Sequence, residues 1–165
     1  MRTTIIAAGI LALSMTLPAR ADENNKLTIL SFDKPVQLPG VTLPAGKYRF
    51  ELADTVGSRR AIKVQSDDGK QQLAMLQTMP LNLLEPAKDP IVVFGETPRN
   101  QPEAVKAWVY PGESIGYEFV YPREQAITIA KEAHIAVLSK SGDNVERIDE
   151  NGRVVNDKDD KAGRK

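Results

Sequence analysis

Between residues 26 and 121, hydrophobic and polar positions alternate with a period of two. Tyr48, Phe50 and Leu52 alternate with Arg49 and Glu51, and Ile62 and Val64 alternate with Lys63 and Gln65. The same rhythm returns in Val105 to Tyr110 and in Tyr117 to Tyr121. Such a pattern puts successive side chains on opposite faces of a strand. Leu73 to Met79 and Ile91 to Phe94 are instead apolar at nearly every position, which predicts strands covered on both faces, the first of them central. Lys26 to Phe32 and Val36 to Leu38 supply two more strands. Turn chemistry separates these runs: Pro39-Gly40, Pro44-Ala45-Gly46, Pro98 to Pro102, Pro111-Gly112, and Asp67-Asp68-Gly69 with its glycine at a left-handed position. The expectation is a mainly β fold, an antiparallel β-sandwich or open barrel of about seven or eight strands. No helical pattern lies between these strands, so a parallel sheet is not expected.

One helix is predicted near residues 123–133. Pro122 suits its first position, Glu124 sits in the first turn, and Ile127, Ala130, Ala133 and Val137 fall on one face. The helix is expected to fray near His134, because Ile135 to Leu138 suits an extended segment equally well. All nine aromatic residues lie between Phe32 and Tyr121. From Ser139 to Lys165 there is no aromatic and no proline, and 14 of 27 residues are charged, seven of each sign. Residues 22–138 therefore read as one β domain, and 139–165 as a polar, disordered tail with little to bury. Within that tail, Glu150-Asn151-Gly152-Arg153 has the residues of a hairpin turn, though an isolated hairpin needs docking to persist.

The start of the chain reads as a cleaved secretory leader. Arg2 supplies the positive charge, Ile5 to Leu17 is uncharged but shorter than the ~20 residues of a membrane-spanning helix, and Ala19-Arg20-Ala21 has the small residues a signal peptidase accepts. Cleavage after Ala21 removes Arg2 and Arg20, and no acid, from a balance of 22 basic and 22 acidic residues, leaving a net charge of −2. The product is expected in the periplasm or outside the cell, with no transmembrane segment. Near-neutral charge argues against nucleic acid and a polybasic membrane contact. The absence of cysteine excludes disulfides, a thiolate nucleophile and a lipid-anchored cysteine, and the single histidine leaves no imidazole pair for a metal. No cofactor is expected.

Two segments carry a family likeness. Leu43-Pro44-Ala45-Gly46-Lys47-Tyr48 with Phe50 and Leu52 is one; Ala107-Trp108, Tyr110-Pro111-Gly112 and Gly116-Tyr117-Glu118-Phe119-Val120-Tyr121-Pro122 form the other. Together they resemble a family of uncharacterised secreted bacterial proteins met mostly in soil bacteria. The likeness covers roughly residues 31–134. It implies export and no particular activity, so it assigns no site residue.

Candidate chemistry is thin. Gly112-Glu113-Ser114-Ile115-Gly116 matches the G-x-S-x-G of serine hydrolases, but that elbow leads into a helix, whereas this one leads into an expected strand. The only base on offer, His134, sits where a helix ends and suits its dipole there. Asp157, Asp159 and Asp160 miss the spacing of a calcium loop. Arg59, Arg60 and Lys63 read as a solvated face. Glu103, Glu113 and Glu118 offer carboxylates for glycoside hydrolysis only if two of them face each other across a cleft. No catalytic or metal residue is therefore assigned.

The binding surface is sought on the hairpin from Val105 to Tyr121. If Tyr110 pairs with Tyr117, the five aromatics share one face and form core; if Tyr110 pairs with Gly116, Trp108 and Tyr110 point outward beside Lys106, with Glu118 opposite. The second register keeps both charges on the outer face and is preferred. It makes Trp108, Tyr110, Lys106 and Glu118 the candidate binding residues, suited to stacking on a sugar or gripping a protein. The functional expectation is an exported, non-catalytic binding or interaction module whose partner is an envelope protein or a carbohydrate. The alternatives are a carbohydrate-directed protein, either binding module or weak hydrolase, and a purely structural envelope protein. N-terminal sequencing of the exported protein is expected to return Asp22, and recovery of Met1 would contradict the leader.

Overall fold

The computed structural model describes residues 21–22, 26–55, 58–98 and 101–155. Residues 1–20, which hold nearly all of the expected leader, and residues 156–165 with the three tail aspartates lie outside them. Turns fall where the glycines and prolines place them: Gly40, Gly69 and Gly112 take the left-handed conformation, with φ of 73°, 71° and 83°. Between the turns the strands are β1 (Ala21–Asp22), β2 (Leu27–Phe32), β3 (Val36–Leu38), β4 (Val41–Leu43), β5 (Gly46–Thr55), β6 (Ser58–Ser66), β7 (Gln72–Asn82), β8 (Ile91–Gly95), β9 (Glu103–Val109) and β10 (Ile115–Pro122). Helix α1 (Arg123–Ala133) follows, then β11 (Val137–Ser141), β12 (Asn144–Ile148) and β13 (Val154–Val155). The fold is mainly β with one helix, and its sheet does not close on itself. The count among the described residues exceeds the seven or eight expected, because β1, β4 and β13 are very short and β11 to β13 occupy the supposed tail.

The main path runs β1-β2-β5-β6-β7-β10-β11-β12-β13, with β9 pairing β10, β8 and β3, and β4 pairing β3. The period-two signal translates directly into burial. Leu30 and Phe32 of β2, Tyr48 and Phe50 of β5, and Ile62 and Val64 of β6 are all buried in one core. Phe32 touches Phe94 of β8 at 6.3 Å between ring centroids, and Phe50 touches Trp108 of β9 at 6.4 Å. Strands far apart in sheet order thus meet through aromatic rings.

Two expectations of burial fail. β7 is central in pairing, between β6 and β10, yet only Leu76 and Thr78 are buried along it and Met75 is 48 % exposed. Nor is β8 covered on both faces: only Gly95 is buried along it, and Ile91 is 38 % exposed. An apolar run reports what a segment tolerates, not how many neighbours it has.

The helix begins at Arg123 after Pro122 and ends at His134, which takes the left-handed C-cap (φ 51°) and donates its N–H to the Ala130 carbonyl. Its buried stripe is Ala126, Ile129, Ala130 and Ala133, rotated from the expected one, so that Ile127 is only half-buried. Gln125 ties it to β3, donating to the Leu38 carbonyl (3.0 Å) and accepting from the Gly40 N–H (2.9 Å).

The helix connects β10 to β11, and these two strands are parallel. A crossover helix is what such a pairing requires. A second parallel pair joins β3 to β9, so the expected antiparallel sheet is corrected to a mixed one at these two pairs. The expectation of a disordered tail is corrected for residues 139–155 as well. β11 pairs with β10, β12 pairs with β11 from Val137↔Ile148 to Ser141↔Asn144, and β13 completes the foreseen hairpin turn. Asp149 holds that turn by accepting from the Asn151 and Arg153 N–H groups, at 2.9 and 2.7 Å. The Arg153 N–H foremost lowers its carboxyl pKa below the usual value, against a weaker opposing effect of burial. Gly152 (φ 78°) lies against Ile127 and Lys131 of the helix, where a side chain would collide. Composition concealed this docking because two positions of the segment suffice: Ser139 and Ile148 are buried, beside Val137 and Leu138 just before it.

Ending the chain after Leu138 removes the buried Ile148 and the pairing of two strands. Chemical denaturation is expected to show a loss above ~2 kcal/mol, beyond the scale of a surface change; an unchanged midpoint would contradict the docking.

Candidate functional site

The hairpin of β9 and β10 adopts neither register weighed above. Tyr117 pairs with Trp108 and Glu118 with Ala107, one residue beyond the preferred alignment. Such a step exchanges faces, and so Trp108, Tyr110, Tyr117, Phe119 and Tyr121 all enter the core. Trp108 is fully buried. It stacks on Tyr117 at 5.5 Å and 28°, and meets Tyr110 edge-on at 6.3 Å. The outward Trp108–Tyr110 platform is therefore corrected.

That alignment was preferred because it kept Lys106 out of the core, and the structure achieves the same end differently. Val93 pairs with Ala107 but Phe94 pairs with Val105, which makes Lys106 the extra residue of a β-bulge. A bulge re-aims the side chain it inserts. Lys106 leaves the aromatic face and reaches Glu118 on the other, with Nζ to Oε1 at 3.9 Å.

Glu118 is 3 % exposed. Arg147 of β12 spans both its carboxylate oxygens, with Nη1 donating to Oε1 at 3.4 Å and Nη2 to Oε2 at 3.5 Å. The four candidates thus separate. Trp108 and Tyr110 are core, while Lys106 and Glu118 form a charge cluster whose third member, Arg147, the sequence reading missed. Glu118 is buried while the Arg147 and Lys106 side chains remain 40 % and 27 % exposed, so the cluster ties β12 to the sheet at a solvent-facing margin.

Trp108 Nε1 has no hydrogen-bond partner among the described residues. Burying ~200 Å² of indole contributes about 5 kcal/mol, which exceeds the ~1–3 kcal/mol of an unmet donor. Tyr121 is satisfied: its hydroxyl donates toward the carbonyls of Val105 (2.7 Å) and Gln37 (3.0 Å). Burial pushes its pKa well above the ordinary value.

The other motifs disperse. Ser114 stands in the turn before β10, not between a strand and a helix, and its carbonyl accepts from the Leu83 N–H at 2.8 Å. His134 is an exposed helix cap. Glu103 opens β9, Glu113 lies beyond the opposite end of that strand, and Glu118 is sequestered between them by its two cations.

A different surface emerges where β7 and β9 end and β8 and β10 begin, as the pairs Asn82↔Ile115 and Val109↔Ile91 show. There the segment 83–90 is pinned to the 110–114 turn. Leu83 N–H donates to Ser114 O, Ala87 N–H to Glu113 O (3.0 Å) and Gly112 N–H to Ala87 O (2.7 Å). Lys26, the residue before β2, braces the turn, with Nζ 3.0 Å from Glu113 Oε1, donating to the Tyr117 hydroxyl at 3.3 Å and 5.9 Å from the Tyr117 ring centroid. Burial depresses the Lys26 pKa, but the hydrogen bonds and charges of Glu113 and Tyr117 together outweigh it, and the net shift is upward.

Four large hydrophobics stand exposed among the described residues: Met75, Leu84, Ile91 and Ile115. The last three lie at this pinned end, and Leu84 is fully exposed. The sequence carried a signal for Leu84, since it breaks the alternation of Leu81 and Leu83 immediately before Glu85-Pro86. No protein-family model, curated protein or solved structure matches this chain. No helix among the described residues is long and apolar enough to cross a membrane.

Trp108→Ala is expected to cost about 3–5 kcal/mol in denaturant unfolding, the usual range for a buried tryptophan. A loss under ~1 kcal/mol would contradict its core position.

Proposed function

We propose that this chain is an exported, non-catalytic β-domain that acts as an interaction module at or outside the cell envelope, with the pinned loop end as its contact surface. The observation that carries the reading is the exposure of Leu84 and Ile115, each next to a partner of the Leu83–Ser114 hydrogen bond, on backbone tied by three such bonds. Scattered apolar residues on a surface mean little, whereas a group held on a rigid frame suits a partner, because little ordering entropy is lost on binding. The N-terminal leader pattern and the resemblance to secreted bacterial proteins support export. The ring contacts of Phe32 with Phe94 and Phe50 with Trp108 support a sandwich-like packing of the two halves of the sheet.

Leu84→Ser combined with Ile115→Ser removes the surface without touching the core, and such exposed changes cost about 0.5 kcal/mol or less each. The tagged wild-type protein is expected to recover an envelope protein or glycan from its own cells, and the double variant to lose it at unchanged melting temperature. Recovery of the same partner by the folded variant would contradict the assignment.

A further inference from the structure

We infer that two copies of this chain pair edge to edge through β8, in antiparallel register about a twofold axis at Val93. The strand has the composition of a central strand, Ile-Val-Val-Phe-Gly with no charge, yet it has one neighbour, β9, among the described residues. Its free edge offers unpaired backbone groups of the kind that recruit another strand. Prolines 90 and 98 flank the segment, and without an N–H they limit how far pairing can run. The core is open along this margin: Val92 and Phe94 pack against it and are only half-buried.

The second copy is the occupant that the side chains fit. With the axis perpendicular to the sheet, paired residues share a face, so a self-paired strand must centre on a residue; Val93 is the middle of Ile91–Gly95. Val92 then faces Phe94 of the second copy, a β-branched and aromatic pair of the favoured kind, and Ile91 comes opposite Gly95, beside the half-buried Ile135 that covers that glycine. Glu96 comes opposite Pro90, within reach of Lys88. Both charged residues are exposed, and neither has an ion-pair partner among the described residues. One β8 edge per copy is consumed, so the assembly closes at two.

Sedimentation velocity of the purified protein between about 1 and 100 µM is expected to show a monomer–dimer equilibrium, the range suited to a small interface. A monomer at the highest concentration, or open-ended polymers, would overturn the proposal. The chain has no cysteine, which makes cross-linking clean. Val93→Cys is expected to oxidise to a covalent dimer at least tenfold faster than Glu96→Cys, whose position faces a proline. Equal rates would overturn the register. Lys88→Glu and Glu96→Lys alone are each expected to weaken dimerisation several-fold, and the double swap to restore it; no rescue in the double variant would overturn the pairing. These readouts do not involve Leu84 or Ile115, so their failure leaves the proposed contact surface standing.

Discussion

The pairing of Tyr117 with Trp108 decides which side of this protein is core. Because side chains alternate, that one match sends Trp108, Tyr110, Tyr117, Phe119 and Tyr121 to a single face. There they join Phe32, Tyr48 and Phe50, brought in by the strands around β5. The same match sends Glu118 to the opposite face. A one-residue slip would exchange these sets, exposing a line of aromatic rings and driving a carboxylate into them. Few alternatives compete with an arrangement whose error is that costly.

A carboxylate so placed creates its own requirement. Glu118 is covered, and a buried charge must be paired. The bulge at Lys106 supplies one cation and Arg147 another. Arg147 comes from a segment rich in charge, and the pairing of β11 beside β10 is what brings it near. The buried Ile148 then closes the apolar side of the same docking. The C-terminal strands and the hairpin register are thus two halves of one solution.

Much of the β architecture was legible because period two is a local signal. Tyr48-Phe50, Ile62-Val64 and the Asp67-Asp68-Gly69 turn all sit as their pattern implies. So does the helix from Arg123 to Ala133. What was not legible was set by distant partners. Strict alternation places Lys106 on the face of Trp108, and only the bulge against β8 releases it. Ile91 to Phe94 looked covered on both faces because nothing local counts neighbours. Residues 139–155 looked unstructured because their average polarity hid two buried positions, Ser139 and Ile148. The ambiguity of Ile135 to Leu138 was itself informative: a helix followed by an extended segment is what a parallel crossover needs.

The proposed contact surface lies at the end of the same hairpin, where the pairing of Asn82 with Ile115 brings Leu84 and Ile115 to one end. Trp108 is the only tryptophan in the chain, so native fluorescence reports on which face of the hairpin is core. With Tyr117 opposite Trp108, emission should be blue-shifted and iodide should leave it nearly unquenched until the protein unfolds. Red-shifted emission that iodide quenches freely in the folded protein would place Trp108 in water and contradict the account.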